Sequence, residues 1–519
     1  MKVLLINPPY PFEESPTPPF GLTSLAAYLL ERGIDVRIED YIITRFSCER
    51  VRRLIDEYKP DVVGSTGVTM NINNALEILK CYKEEKPDIV TVMGGPHVTF
   101  DAENVLSQKQ HVDYIVRGEG EITFTEMLER LEAGDSMQEV LGLSYRQNGS
   151  VVHNPNRPLI PNINILPFPA RHLIPLSKYR AMGMSINMIT SRGCPFGCIF
   201  CVGSKMVGKK LRYFDTDRVV EEFGMLTKLG FKQINIVDDL FTSNKKRCFA
   251  VCDGIIDKGF AFPWTGFARV DTVSRDLLEK LKESGCTWLC FGTESGNQEI
   301  LDRIKKKITV EQTRRAIDLC HEVGIEPFAS FILGLPGETR ETAQQTIDFA
   351  KNLTKNYGFH ILAPFPGTEV RDKSEEYGMT ITTDDWDRYD ANQSIAETGG
   401  IPGAEIERMV NEFNEMINEY IDELKVKKER GEELGESDDE IITGIKTFLF
   451  THNFIFNELV ESYVPGVNGS REDIIENFTQ YVAMNTDSSA EESRKQIDRL
   501  ISMNCIIVDE KHNPAIRWN

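Results

Sequence analysis

The sequence predicts an α/β protein in three parts: a doubly wound parallel sheet, a partial (β/α)6 barrel and a mainly helical tail. Three observations predict it. Over residues 1–140, and again over 186–400, short apolar runs alternate with segments of helical period. Between them, residues 141–185 are poorly periodic and punctuated by prolines 155, 158, 161, 167, 169 and 175, which reads as a linker. Residues 401–519 change to amphipathic helical patterns, beginning with Ala404–Val426.

In the first part the strands are Val3–Ile6, Val36–Ile38, Asp61–Gly64, Ile89–Met93 and Tyr114–Val116. Helical stretches such as Leu22–Arg32, Arg52–Tyr58 and Ala75–Glu84 separate them. Glycine-bearing turns at Gly64–Gly67, Gly94–Gly95 and Gly118–Gly120 follow the strand ends. In an open parallel sheet that edge holds ligands.

In the second part six strands are expected: Asn187–Thr190, Gln233–Val237, Trp264–Ala268, Trp288–Gly292, Pro327–Leu333 and His360–Ala363. Helices such as Thr216–Leu229, Arg275–Ser284 and Thr309–Val323 lie between them. Six successive βα units fit a partial barrel, whose chemistry belongs at the C-terminal strand ends. In the tail, residues 421–440 carry nine acids against four bases, the composition of a solvated face.

Composition narrows the function. The 519 residues are 41% hydrophobic, enough for buried cores and against a disordered or fibrous chain. Acidic residues number 80 against 59 basic, a net charge of -21, so nucleic acid and anionic membrane are not default partners. No run of about 18 apolar residues exists, and the N-terminal residues read as a strand and loop rather than a secretory leader. Eleven cysteines without such a leader argue for a reducing, cytoplasmic interior.

The chemistry concentrates in Thr190-Ser-Arg-Gly-Cys-Pro-Phe-Gly-Cys-Ile-Phe-Cys201, just after the first barrel strand. Cys194, Cys198 and Cys201 stand at C-x3-C-x2-C spacing. Three thiolates satisfy three irons of a [4Fe–4S] cube and leave the fourth open to chelate a small molecule. Zinc would need a fourth ligand, and none stands nearby at zinc-site spacing. Phe200 offers a flat apolar wall to a heterocycle. The other cysteines, Cys248 and Cys252 at helical spacing among them, read as small buried hydrophobes.

At these residues the sequence resembles the radical S-adenosylmethionine (SAM) enzymes. The resemblance implies that the open iron binds SAM and cleaves it reductively to a 5′-deoxyadenosyl radical, with electrons from a donor such as flavodoxin or ferredoxin. It extends to other strand ends. Val237-Asp-Asp239 falls where the family contacts the SAM amino group, and of the two acids Asp238 is taken. Phe291-Gly-Thr-Glu-Ser-Gly296 places Glu294 at the ribose. Ile332-Leu-Gly-Leu-Pro-Gly337 places Gly334 against adenine, and Pro364-Phe-Pro-Gly-Thr368 ends the sixth strand. The physical reading agrees: carboxylates suit an ammonium and ribose hydroxyls, and glycine admits close backbone approach.

The first part resembles the cobalamin-binding domain that precedes the barrel in one subclass. Its carriers are Gly64-Ser-Thr-Gly-Val-Thr69, Met93-Gly-Gly-Pro-His97 and Arg117-Gly-Glu-Gly-Glu121, which imply cobalamin contacts at Ser65, Thr69, Gly94, Gly95 and Glu119. The D-x-H-x-x-G motif that supplies a cobalt-binding histidine is absent. The loop after the first strand reads Asn7-Pro-Pro-Tyr-Pro-Phe-Glu13 instead. His97 is a candidate replacement ligand, weighed against a hydrogen-bonding role. The arrangement over residues 1–420 is similar to anaerobic magnesium-protoporphyrin monomethyl ester cyclases and to cobalamin-dependent methylases. The segment Asp385-Trp-Asp-Arg-Tyr389 is also similar to the cyclase.

The leading expectation is therefore methyl transfer to an unactivated carbon of a small-molecule substrate held between the domains. The alternatives are ring closure on a tetrapyrrole-like substrate, radical coupling with a vestigial first domain, and a non-catalytic cobalamin carrier.

Overall fold

The computed structural model describes residues 1–10, 16–464, 470–509 and 515–519. Its first sheet contains β1 (Lys2–Asn7), β2 (Asp35–Asp40), β3 (Val62–Thr66), β4 (Val90–Gly94), β5 (Tyr114–Val116), β6 (Leu143–Gln147) and β7 (Ser150–His153). The spatial order is β2-β1-β3-β4-β5-β6-β7. Strands β1 to β5 are parallel, while β6 and β7 are antiparallel additions. The chain reverses its winding between β1 and β3, and ligands enter such a sheet at that switch. Helices α1 (Phe20–Leu30), α2 (Cys48–Tyr58), α3 (Ile72–Glu85), α4 (Pro96–Gln108) and α5 (Gly120–Ala133) cover both faces. Strand β1 reads as a continuous apolar run because both of its faces are buried.

The segment expected as a linker carries the hairpin β6–β7, so the first sheet runs to residue 153. The turn between them is Asn148-Gly149, at φ 52 and 81. Left-handed conformation at both positions matches the twist of a two-residue hairpin. Helix α6 (Leu176–Ala181) completes the connector.

The second sheet has β8 (Ile186–Met188), then β11 (Ile234–Ile236), β12 (Trp264–Ala268), β13 (Cys286–Glu294), β14 (Glu326–Leu333) and β15 (Tyr357–Ile361). They lie side by side in chain order and all parallel, with no pairing of β15 to β8. This is a six-stranded partial barrel. A two-stranded ladder, β9 (Ser191–Arg192) and β10 (Arg212–Tyr213), stands on its rim. The intervening helices are α7 (Gly203–Met206), α8 (Thr216–Leu226), α9 (Lys245–Asp257), α10 (Arg275–Glu283), α11 (Gln298–Arg303), α12 (Val310–Val323) and α13 (Arg340–Leu353). Buried Phe291, Phe331 and Leu333 of the central strands anchor the core.

Short α14 (Glu369–Asp372) is followed by a helical tail: α15 (Gly403–Glu429), α16 (Glu436–Phe456), α17 (Arg471–Met484) and α18 (Ala490–Ser502). Phe413 of α15 packs on Tyr357 and Phe359 of β15, with ring centroids 5.1 and 5.2 Å away. The tail then returns to the earlier chain. Glu458 pairs with Arg50 at 3.2 Å and Glu461 with Lys178 at 2.7 Å. Arg499 donates to the Ala181 carbonyl at 3.0 Å, and Arg180 donates to that of Asn504 at 2.8 Å. No helix among the described residues is long and apolar enough to cross a membrane.

Candidate active site

The cysteine loop, residues 193–211, is closed at its base by β9 and β10. Gly193 sits there at φ 119, and a Cβ would lie 2.6 Å from the Lys210 carbonyl oxygen, so only glycine fits. Cys194 N–H donates to the Gly208 carbonyl at 3.0 Å, which closes the loop from inside. Ile199 is fully buried; its N–H donates to Ile304 and its carbonyl accepts from Val370 N–H. That anchor holds Cys198 half-buried, while Cys201 is exposed. Phe200 packs half-buried against the main core.

Loss of water around Cys198 raises its thiol, and the charges of Lys306 and Arg269 pull the other way. Arg269 lies 3.5 Å above the Phe196 ring within the same loop. Among the described residues no three His, Cys, Asp or Glu side chains converge as they would on one metal ion. A cube differs from a single ion in this respect, because each thiolate takes its own iron. Three cysteines on one short loop can each take one iron of such a cube.

Two adjacent acids at the end of β11 have different tasks. Asp238, expected at the SAM amino group, is 3% exposed and turned into the protein. It accepts from Thr190 N–H at 2.5 Å, Thr190 Oγ1 at 2.5 Å and Ser191 Oγ at 2.6 Å. Burial raises its carboxyl, partly offset by these donors. It braces the entry to the cysteine loop. Asp239 is the acid that lines the neighbouring cavity, where it accepts from Gly193 N–H at 3.2 Å.

Glu294 ends β13 at φ 63, a left-handed conformation that is uncommon outside glycine. It is buried and pairs with Lys306 Nζ at 2.7 Å. Gly334, at φ 82 after β14, donates its N–H to Glu338 Oε2 at 2.5 Å. A Cβ there would stand 3.2 Å from Ile406 of α15, so the tail covers this turn.

A cavity of about 350 Å³ joins the two sheet edges. On one side it is lined by Ser65, Gly94, Gly95 and Glu119, on the other by Ser191, Arg192, Val237 and Asp239. A Cβ on Gly95, at φ 100, would meet the Gly67 carbonyl oxygen at 2.7 Å, so the turn is built for a bare backbone beside the space. These features fit a large flat cofactor. Thr69, expected among the contacts, does not line the cavity; its hydroxyl lies 3.2 Å from His97 Nδ1. His97 is buried edge-on to Trp386 at 4.8 Å and is not among the residues that line the cavity; its Nδ1 makes the contact with Thr69. Of the loop after β1, residues 11–13 lie outside the described residues.

Glu119 lines the cavity, yet its carboxylate is engaged by Arg192, Arg212 and the Ile160 N–H. Burial would raise it, but these donors outweigh burial and hold it below the usual carboxylate range. Reading the sequence alone missed Arg192, Arg212, Glu121 and Lys306. Arg192 stands two residues before Cys194, and Lys306 twelve residues after Glu294; the Arg212 contact depends on tertiary pairing and leaves no local sign.

Comparison with known proteins identifies the family. The radical SAM superfamily profile matches residues 188–350, and the B12 binding domain profile matches residues 14–128. An uncharacterized methyltransferase of Pyrococcus horikoshii is 38% identical over 400 residues, 75% of this chain and 86% of the relative. The anaerobic magnesium-protoporphyrin IX monomethyl ester cyclase of Rubrivivax gelatinosus is 32% identical, covering 75% of this chain and 72% of the cyclase. Among solved structures, the cobalamin-dependent SAM radical enzyme OxsB with aqua-cobalamin and SAM bound aligns at TM-score 0.71 and 16% identity, over 96% of this chain and 83% of OxsB. The methyltransferase TsrM of Kitasatospora setae aligns at 0.64 and 21% identity, over 74% and 79%.

The chain belongs to the radical SAM superfamily and is an enzyme of that class. Within it, the chain falls in the group that carries a B12 binding domain ahead of the barrel; its cofactors are a [4Fe–4S] cluster, SAM and cobalamin.

Proposed function

We propose that this enzyme transfers a methyl group to an unactivated carbon of a small or mid-sized substrate bound between its two α/β halves. The observation that carries the reading is a cavity lined by both the glycine turns of the first sheet and the rim of the barrel. When bound, the cluster and SAM supply one-electron chemistry at an open iron, and cobalamin supplies a methyl carrier.

Cys194, Cys198 and Cys201 hold three irons. Asp239 takes the SAM ammonium, the place first given to Asp238. Glu294, fixed by Lys306, takes the ribose. Gly334 and Phe200 flank the adenine. Ser65, Gly94, Gly95 and Glu119 face cobalamin, and the apolar wall of Leu22, Leu25 and Phe124 excludes water from that side. Residues 1–153 serve cobalamin and residues 186–400 serve SAM. The electron donor is a flavodoxin or ferredoxin. Eleven free cysteines support a reducing, cytoplasmic setting.

The 32% identity to the cyclase favours one alternative, oxidative ring closure on a tetrapyrrole-like substrate. One experiment separates the two. Anaerobically reconstituted protein is incubated with reductant, SAM and hydroxocobalamin in a cell extract, and products are followed by mass spectrometry. A substrate that gains one methylene, with S-adenosylhomocysteine released, is the expected result. A product that has lost hydrogen without gaining carbon replaces methyl transfer by cyclisation. Protein that holds no cluster overturns both.

A further inference from the structure

Glu119 stands in the turn after β5, on the cavity wall, and its carboxylate reaches across to the barrel. Its Oε1 accepts from Arg192 Nη1 at 2.9 Å and from Arg212 Nη1 at 2.9 Å. Its Oε2 accepts from Arg212 Nη1 at 2.9 Å and from Ile160 N–H at 2.7 Å. Glu121 adds a second carboxylate on Arg192 at 2.6 Å. All four charged side chains are buried or nearly so.

The two arginines are paired directly opposite each other in the β9–β10 ladder. They are also the two ends of the loop that carries Cys194, Cys198 and Cys201. Like charges at opposed positions of a ladder repel. An anion between the arginines offsets that repulsion, and the first domain provides it.

We infer that Glu119 is a positioning residue that staples both ends of the cysteine loop, so that filling of the cobalamin cavity and ordering of the loop are thermodynamically coupled. The inference rests on the cobalamin reading above. Backbone of Gly118 and Gly120 lines the cavity on either side of Glu119. A cofactor that fixes this turn also fixes the carboxylate, and the carboxylate fixes the loop. Linkage makes the effect reciprocal: an ordered loop favours cobalamin by the same factor.

The test is hydrogen–deuterium exchange on the full chain, with and without hydroxocobalamin, its binding followed separately by absorbance. In the wild type, saturating hydroxocobalamin slows exchange over residues 193–211 by about fivefold or more, while residues 286–294 do not change. In Glu119→Gln at saturation, the loop exchanges fast and does not respond. In Glu119→Gln with Arg192→Gln, one of the opposed charges is gone while Arg212 keeps its bond to the Val207 carbonyl in the loop, and loop protection returns toward wild type. A merely structural strut would instead make the double variant worse.

Protection of the loop in Glu119→Gln equal to wild type overturns the proposal, as does a double variant faster than the single. Should residues 286–294 lose protection in Glu119→Gln, Glu121→Gln carries the test: it leaves the staple in place and keeps the response, and an abolished response overturns the proposal. Wild-type protein that binds no hydroxocobalamin overturns the cofactor reading and this coupling together. Binding without loop protection overturns the coupling alone.

Discussion

Lys306 Nζ lies 2.7 Å from Glu294 Oε1, with both side chains buried. Left-handed backbone surrounds the pair: Glu294 at φ 63, and Lys305 and Lys307 on either side of Lys306 at φ 56 and 58. Such conformations cost of order 1–3 kcal/mol each and collect at functional sites. Lys306→Met strands a buried carboxylate and is expected to cost about 3–5 kcal/mol. Adding Glu294→Gln should recover a large part of that loss. Thermal midpoints of the two variants check this, and a double variant no more stable than the single refutes it.

Cys198→Ala should leave the fold in place and abolish reductive SAM cleavage. Reconstituted variant protein is expected to lack the cluster absorption near ~400 nm and to release no 5′-deoxyadenosine. Wild-type amounts of that product would remove the cluster from this loop.

The adjacent acids should part company. Asp238→Ala leaves the Thr190 N–H buried without its acceptor, a loss of about 1–3 kcal/mol in stability. Asp239→Ala should barely change the thermal midpoint and should weaken SAM binding to reconstituted protein about tenfold, a difference of about 1.4 kcal/mol. Equilibrium dialysis with labelled SAM measures it, and the reverse pattern would return the ammonium to Asp238.

Gly95→Ala should cost cobalamin. The new methyl group would overlap the backbone of Gly67, and φ 100 is strained for any side chain. Hydroxocobalamin titration by absorbance should show affinity lowered at least about tenfold, with SAM cleavage at the cluster retained. Undiminished affinity would place the cofactor elsewhere.

Glu338 makes stability depend on pH. Burial lifts its carboxyl from 4.5 to about 7, against the pull of the Gly334 and Leu335 N–H groups. Between those values the folded form keeps a proton that the unfolded form has released. Stability therefore falls as pH rises through that window and levels off above it, by up to about 3 kcal/mol. Glu338→Gln should flatten the curve between about pH 6 and 7, above the range in which buried Asp40, lifted to about 6, gives a slope of the same sign. Thermal midpoints across that range decide it; a wild-type slope in the variant would show that another group titrates.

Much of the architecture was legible because parallel strands buried on both faces carry unbroken apolar runs. The six barrel strands and five parallel strands of the first sheet were expected within a few residues of their observed ends. The β6–β7 hairpin was missed although Asn148-Gly149 is a strong local turn signal, since the surrounding prolines suggested a connector. In the candidate site, motif position is what singles out the cysteines, Glu294 and Gly334. It could not distinguish Asp238 from Asp239, because adjacent residues at a strand end point opposite ways and only the register decides which meets the cavity. Arg192 and Arg212 were invisible for a related reason: they are twenty positions apart, and only the β9–β10 ladder sets them side by side.

The return of the tail to Arg50, Lys178, Arg180 and Ala181 makes the polypeptide a closed circuit, tied at both ends of its α15–α16 arm. A protease that nicks the exposed turn at Gly431 would therefore release no fragment. The piece beginning at α16 stays seated on the first half through Phe454, Ile455 and Phe478, buried in one core with Ile43 and Tyr179, and two separately expressed chains divided at that turn should reassemble without a tether.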